Sequence, residues 1–329
     1  MARYLKTVLA QDETITAGAV PLEKDLPVNP LSHINLTVRA QTLTVNVLPT
    51  LANLLDVFTN VEVLFKGTSI VSCSLADLYR YAGHLWRKWP RIFRLNDDVN
   101  ASTFLTVPIP FGRRPYWTEE AFPAVRRGDL RLKLTIRATF PNLTGVTLQA
   151  ETVELLDVDP RRFCKITSQA KTPATTGFHE VDLPIGNKLL AVLLFGTTVP
   201  TGTVFTASIG QIKLLLDNVE FQTAISNFES AHGENLWMHG SAWDKTTLRL
   251  LENLAGVYTQ NVESGAPSDL DGDAANYLYL DYDPHMDGAF AVETAGRARV
   301  HLNINADVAD AIRVLPVELV ELPGGTPGA

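Results

Sequence analysis

Strict alternation of apolar and polar residues recurs along this chain, and it leaves few folds open. Over 129–138, Leu130, Leu132, Leu134 and Ile136 alternate with Arg131, Lys133, Thr135 and Arg137. Successive side chains of an extended strand point to opposite faces, so the pattern means one buried face and one wet face. Val300, Leu302 and Ile304 repeat it, as do Ile34, Leu36 and Val38, then Leu43, Val45 and Val47. Val61, Val63 and Phe65 continue the theme and stop at Lys66-Gly67, a turn signal. Prolines and glycines punctuate the rest, as at Pro108, Gly112, Pro123, Gly128 and Gly145. Many short strands so spaced predict β-sandwiches or barrels.

One apolar run departs from strict alternation. NKLLAVLLFGTTV at 187–199 is too short to span a bilayer, and its length and β-rich surroundings fit a buried strand. Two segments have helical spacing instead. Residues 74–88 place Leu75, Leu78, Tyr79, Ala82 and Leu85 on one face, with Ser74 as N-cap and Pro90 as the stop. Residues 243–258 place Leu248, Leu251, Leu254 and Val257 on one stripe, with Asp244 near the start.

The segments that follow these two helical stretches resemble one another. TFLTVPIPFG, DLRLKLTIRATF and VTLQAETVELLDV follow the first; NYLYLDYDP, GRARVHLNINADV and AIRVLPVELVEL follow the second. Both series end in Val-Glu-Leu, with Glu154 and Glu318 164 residues apart, near half the chain length, as a duplicated unit requires. The expected organisation is an N-terminal arm over 1–29, a first β-sandwich over 30–160, a linker over 161–176, a second sandwich over 177–322 and a flexible tail over 323–329. The arm is read from Pro21, Pro27 and charges without a period, the linker from turn formers and few apolar residues.

A chain of 329 residues has room for two domains, and 46% hydrophobic residues supply their cores. Its formal net charge of -8 argues against a dominant nucleic-acid role. Cys73 and Cys164 have no metal-site spacing and read as buried thiols. The N-terminus has no long apolar segment of the signal-peptide kind.

Catalytic motifs are lacking. No G-x-S-x-G, P-loop, G-x-G-x-x-G or H-E-x-x-H occurs, so the expectation is not an enzyme. The densest cluster is 268–288, with Asp269, Asp271, Asp273, Asp281, Asp283 and Asp287. It reads either as a solvated acidic loop or as a structural calcium site with Asp269, Asp271 and Asp273 as ligands, since calcium takes several oxygens. The match to a calcium loop is partial: Gly272 falls between the second and third acids, and Leu280 stands where a glutamate is expected. A hydrolase using these acids would need two of them facing across a cleft. The basic pairs Arg113-Arg114 and Arg126-Arg127, with Trp117 beside the first, are expected at intersubunit contacts, where arginine pairs with carboxylates.

Six stretches carry a resemblance to a known family: NPLSHINLTVRA (29–40), VEVLFKGTSIVSCSLADLYRY (61–81), VPIPFGRR (107–114), GFHEVDLPIGNKLLAVLLFGTT (177–198), YLDYDP (279–284) and RVLPVELV (313–320). In this order they resemble the double jelly-roll major capsid proteins of tailless icosahedral viruses with an internal membrane, the corticovirus type. The resemblance implies an all-β chain of two tandem eight-stranded antiparallel jelly rolls, each with a short helix insertion. It implies a homotrimer of pseudo-hexagonal outline tiling a virion shell, with neighbouring capsomers and penton or minor capsid proteins as partners. An N-terminal arm would reach neighbours or the membrane, and no specific nucleic acid would be bound. Relatives of this kind can use structural calcium; no other cofactor is expected. The competing reading is a carbohydrate-binding or adhesion protein of two sandwiches, with Trp117 or Trp237 as an exposed platform.

Overall fold

The computed structural model describes residues 2–44, 49–94, 99–198, 208–221, 226–239, 249–252, 258–261 and 276–322. The first half runs β1 (Arg3–Thr14), β2 (Leu22–Asp25), β3 (Leu31–Thr42), α1 (Leu51–Leu55), β4 (Phe58–Phe65), β5 (Thr68–Cys73), α2 (Leu75–Trp86), β6 (Phe93–Arg94), β7 (Ser102–Pro110), β8 (Leu130–Ile136) and β9 (Leu143–Leu156). The second half runs β10 (Arg162–Thr167), β11 (Gln169–Lys171), β12 (Gly177–Asp182), β13 (Lys188–Gly196), β14 (Gln211–Leu216), β15 (Val219–Glu220), β16 (Ser226–Asn227) and α3 (Phe228–His239). It continues with β17 (Arg249–Glu252), β18 (Tyr258–Asn261), β19 (Tyr277–Asp281), β20 (Val292–Glu293), β21 (Val300–Ala306) and β22 (Ile312–Glu321).

The two halves repeat one topology. The order β1-β9-β3-β7 in the first half recurs as β10-β22-β13-β19 in the second. The order β5-β4-β8-β2 recurs as β15-β14-β21-β12. Each half is an eight-stranded jelly roll, two four-stranded antiparallel sheets closed over a core. Both halves insert a helix at the same point: α2 lies between β5 and β7, α3 between β15 and β19.

The alternating segments fold as their period demands. Ile34, Leu36 and Val38 in β3, Leu130, Leu132 and Leu134 in β8, and Val300, Leu302 and Ile304 in β21 are all buried. β5 pairs in parallel with β10 (Val71 with Ile166, Ser72 with Thr167), so one sheet of the first jelly roll runs on into one sheet of the second. The sheet β10-β22-β13-β19 is consequently covered on both faces. In β13, Leu189, Val192 and Leu194 enter the second core, while Leu190, Ala191 and Leu193 join the first. A strand buried on both sides has no wet face, hence the nearly unbroken apolar run at 187–199.

Helix α2 forms where its spacing predicts, with its apolar face buried and the Ser74 hydroxyl accepting the Asp77 amide at 3.0 Å. It ends before Pro90, at Arg87, whose left-handed φ of 53° releases the last turn. Ser74→Ala removes this N-cap and is expected to cost about 1 kcal/mol, read as a lower urea midpoint with an unchanged slope.

Several expectations need correction. Residues 1–29 are no free arm: β1 pairs with β9 and β2 with β8, and they are the first two strands of the first jelly roll. β1 lies at a sheet edge with Arg3–Lys6 exposed on both faces, so it shows no hydrophobic period. Residues 161–176 are more than a linker, because β10 and β11 both pair with β22 there. β10 shows no strict alternation because its neighbours Phe163 and Cys164 are both buried, in a sheet covered on both faces. The alternation expected at Leu43, Val45 and Val47 does not extend β3, which ends at Thr42; Leu43 is half exposed, and Val45 and Val47 lie outside the described residues. A helix over 243–258 is not formed at 249–252, which pairs as β17 with β18; residues 243–248 and 253–257 lie outside the described residues. A short run of leucines satisfies either period. The helix of the second half is α3 instead, which has no apolar stripe to betray it in the sequence.

Candidate functional site

The polar residues that the fold concentrates lie along the seam between the two jelly rolls. Three clusters stitch it. The first begins at Gly112, just past β7, where the chain packs so close to the 120 region that an added Cβ would sit 2.3 Å from the Glu120 carbonyl. Arg113 follows and is buried, 1% exposed. Its guanidinium donates to Glu120 of the first jelly roll (Nε–Oε1 3.0 Å) and to Asp283 of the second. Arg162 of β10 adds a further ion pair to Glu120 at 2.7 Å. Burial alone would depress the charge of Arg113, but hydrogen bonds and charge from Glu120 and Asp283 outweigh it and raise its pKa above the usual value.

The second cluster centres on Asp77 in α2. Its buried carboxylate accepts from the Tyr277 hydroxyl at 2.7 Å and from Arg313 at 2.8 and 3.1 Å. Arg80 lies 4.2 Å from the Tyr277 ring centroid and Arg313 3.7 Å from that of Phe195. Burial raises the Tyr277 pKa, so its hydroxyl stays protonated and donates.

The third cluster is aromatic. His84 of α2 stacks on Tyr279 at 4.9 Å with ring planes 3° apart, and His239 of α3 approaches edge-on. The His239 Nδ1 lies 3.2 Å from the His84 carbonyl, so it donates there, and Nε2 is left facing Asp281 at 3.5 Å. Desolvation lowers the His239 pKa to about 4, with Arg87 adding to it, and pushes His84 down as well. Burial raises Asp281. An open pocket beside this cluster is lined by Asn235, His239, Asp281, His285 and Phe290. Among the described residues no three His, Cys, Asp or Glu side chains converge to hold a metal ion.

The arginines expected at intersubunit contacts divide. Arg113 is an internal bolt between jelly rolls, since its charge is consumed by Glu120 and Asp283. Trp117 is half-buried beneath Arg113, Arg114 and Arg162, at 5.5, 5.2 and 5.6 Å from its ring. It is no open platform. Arg114, Arg126 and Arg127 are exposed. Asp269, Asp271 and Asp273 lie outside the described residues. Asp283, counted with that acidic loop, is buried against Arg113, which takes up its charge. Trp237 is exposed on α3. The sequence offered no sign of Asp77, Tyr277 and Arg313 as a group, because their meeting depends on α2 of one half touching β19 and β22 of the other.

The duplication extends to single side chains. Asn29, just before β3, donates to Glu154 in β9 at 2.6 Å; Asn187, just before β13, donates to Glu318 in β22 at 2.7 Å. Both glutamates are buried and both also accept from the neighbouring strand, from Thr7 of β1 and Lys165 of β10. The Val-Glu-Leu repeat seen in the sequence marks equivalent structural positions.

No family model and no curated protein sequence matches the chain. Solved structures match its fold over nearly full length. The major capsid protein of bacteriophage PM2 superposes with a TM-score of 0.60 at 12% identity, covering 98% of this chain and 99% of that one. The STIV major capsid protein gives 0.66 at 12% identity, covering 97% of each chain. VP54 of PBCV-1 gives 0.59 at 10% identity, covering 100% of this chain and 97% of that one. These likenesses establish the double jelly-roll fold.

Proposed function

We propose that this chain is the major capsid protein of an icosahedral virus, three copies joining into a trimeric capsomer of pseudo-hexagonal outline that tiles the shell. The observation that carries the reading is the repeated topology within one sutured chain. Three chains with two like units each present six like units around a threefold axis, which lets a symmetric trimer fill a sixfold lattice position. The correspondence with capsid proteins over nearly the whole of both chains supports it. The buried charges agree with this role, because Arg113 with Glu120 and Asp283, and Asp77 with Arg313, join parts of the chain. In this reading the chain works in the virion shell and performs no catalysis. Since residues 3–14 and 22–25 are built into the first jelly roll, membrane contact through a free N-terminal arm is not part of the proposal.

The test is light scattering of the purified chain, followed by electron microscopy after concentration or coexpression with vertex proteins. Three chain masses and closed particles or hexagonal sheets are expected. A strict monomer at every concentration overturns the reading.

A further inference from the structure

The joint inside the chain supplies a template for a joint between chains, because the strands that form it occur twice. Within the chain, β5 of the first jelly roll pairs with β10 of the second. The equivalent of β10 in the first jelly roll is β1, and β1 ends its sheet, with no strand on its outer edge among the described residues. The equivalent of β5 in the second jelly roll is β15, which also ends its sheet. We infer that β15 of one copy pairs in parallel with β1 of the next, repeating the β5–β10 joint. The inference rests on the trimeric reading above and names the surface that makes the trimer.

The register follows from the duplication. Leu5 stands opposite Glu154 as Lys165 stands opposite Glu318, so Lys6 takes the place of Ile166. β4–β5 and β14–β15 are hairpins with two-residue turns in the left-handed region, Lys66-Gly67 and Asp217-Asn218. Val63 and Leu214 are each the third residue before their turn; across a bulge in β5 Val63 pairs with Val71, and the Phe221 amide donates to the Leu214 carbonyl at 2.9 Å. Phe221 thus takes the place of Val71, the residue beside Ile166 in the internal joint. The expected neighbours across two copies are Phe221 and Lys6.

Burial supports the assignment. At the internal joint Cys164 and Ile166 are each 1% exposed, whereas Tyr4, Leu5 and Val8 on β1 are 62%, 46% and 51% exposed. On the other side Val219 is 69% and Phe221 40% exposed. A long, unpaired edge strand with bare apolar side chains is a template for pairing with another chain, and natural proteins cover such edges. The contact is head-to-tail, so it generates a ring when its rotation closes.

The experiment uses the full chain. Lys6→Cys and Phe221→Cys chains are mixed, assembled and treated with a short thiol-reactive cross-linker; the native Cys73 and Cys164 are buried and do not compete. A cross-linked pair is expected from the mixture and a covalent trimer from the double variant. Leu5→Asp and Phe221→Asp, outside both cores, are expected to weaken association about tenfold or more with the unfolding midpoint unchanged. Cysteine variants that trimerise as the wild type does yet yield no cross-link, together with trimers that persist in both aspartate variants, overturn this joint while leaving the capsid reading intact. A wild-type chain that is always monomeric overturns both.

Discussion

Arg113→Met is expected to lower stability by about 3–5 kcal/mol, a large share of the roughly 5–15 kcal/mol that holds a typical domain folded. The guanidinium is the only group that touches both Glu120 and Asp283 among the described contacts, and all three side chains are buried. Methionine fills much of the volume but leaves Asp283 desolvated without its cation, and an unpaired buried charge costs more than the pair contributed. Arg113→Lys should recover little, because one ammonium cannot replace a planar fork that reaches two carboxylates. Urea unfolding measures the effect. A loss under about 1 kcal/mol for methionine would show that the bolt is not structural. Because the bond joins the two jelly rolls, the variant should also split one unfolding transition into two, resolved by scanning calorimetry.

The second expectation concerns acid. His33 and His239 have pKa values lowered to about 4 and His84 is also lowered, burial being the first cause in each. Lys6 adds to the effect at His33, Arg87 at His239, and His239, His232 and Arg80 at His84. The unfolded histidine titrates near pH 6.5, so below that pH the unfolded chain binds protons that the folded chain refuses. Stability is therefore intact above about pH 6.5 and falls as pH drops toward 4. For His33 and His239 the loss approaches about 3 kcal/mol each once the folded group also titrates. His84 and His239 line the seam, so the two jelly rolls should loosen there first. Urea midpoints between pH 7.5 and 4.5 measure the slope, and His239→Asn should reduce it by close to one proton. A flat profile across that range would sink the idea.

Much of the architecture was open to reading in the residues. Period two in β3, β8 and β21 reflects strands with one wet face, and the Val-Glu-Leu repeat at Glu154 and Glu318 exposed the duplication. α2 was legible because an apolar stripe and a cap are both local. β1 and β10 are not legible as strands because their partners, β9 and β22, lie far along the chain, β1 is an edge strand with little inward face, and β10 is buried without strict alternation. α3 escaped because its position comes from packing against β19 and not from an amphipathic stripe.

The sequence by itself determined the secondary-structure class, the doubling of the unit and the buried strand at 187–199, since these follow from side-chain period, apolar run length and local caps. Only the tertiary structure decided that Arg113 is an internal bolt, that Asp77 meets Arg313, and that β1 is left bare while its twin β10 is covered. Such facts depend on which distant strands lie side by side, and pairing across more than a hundred residues leaves no periodic trace in either strand alone.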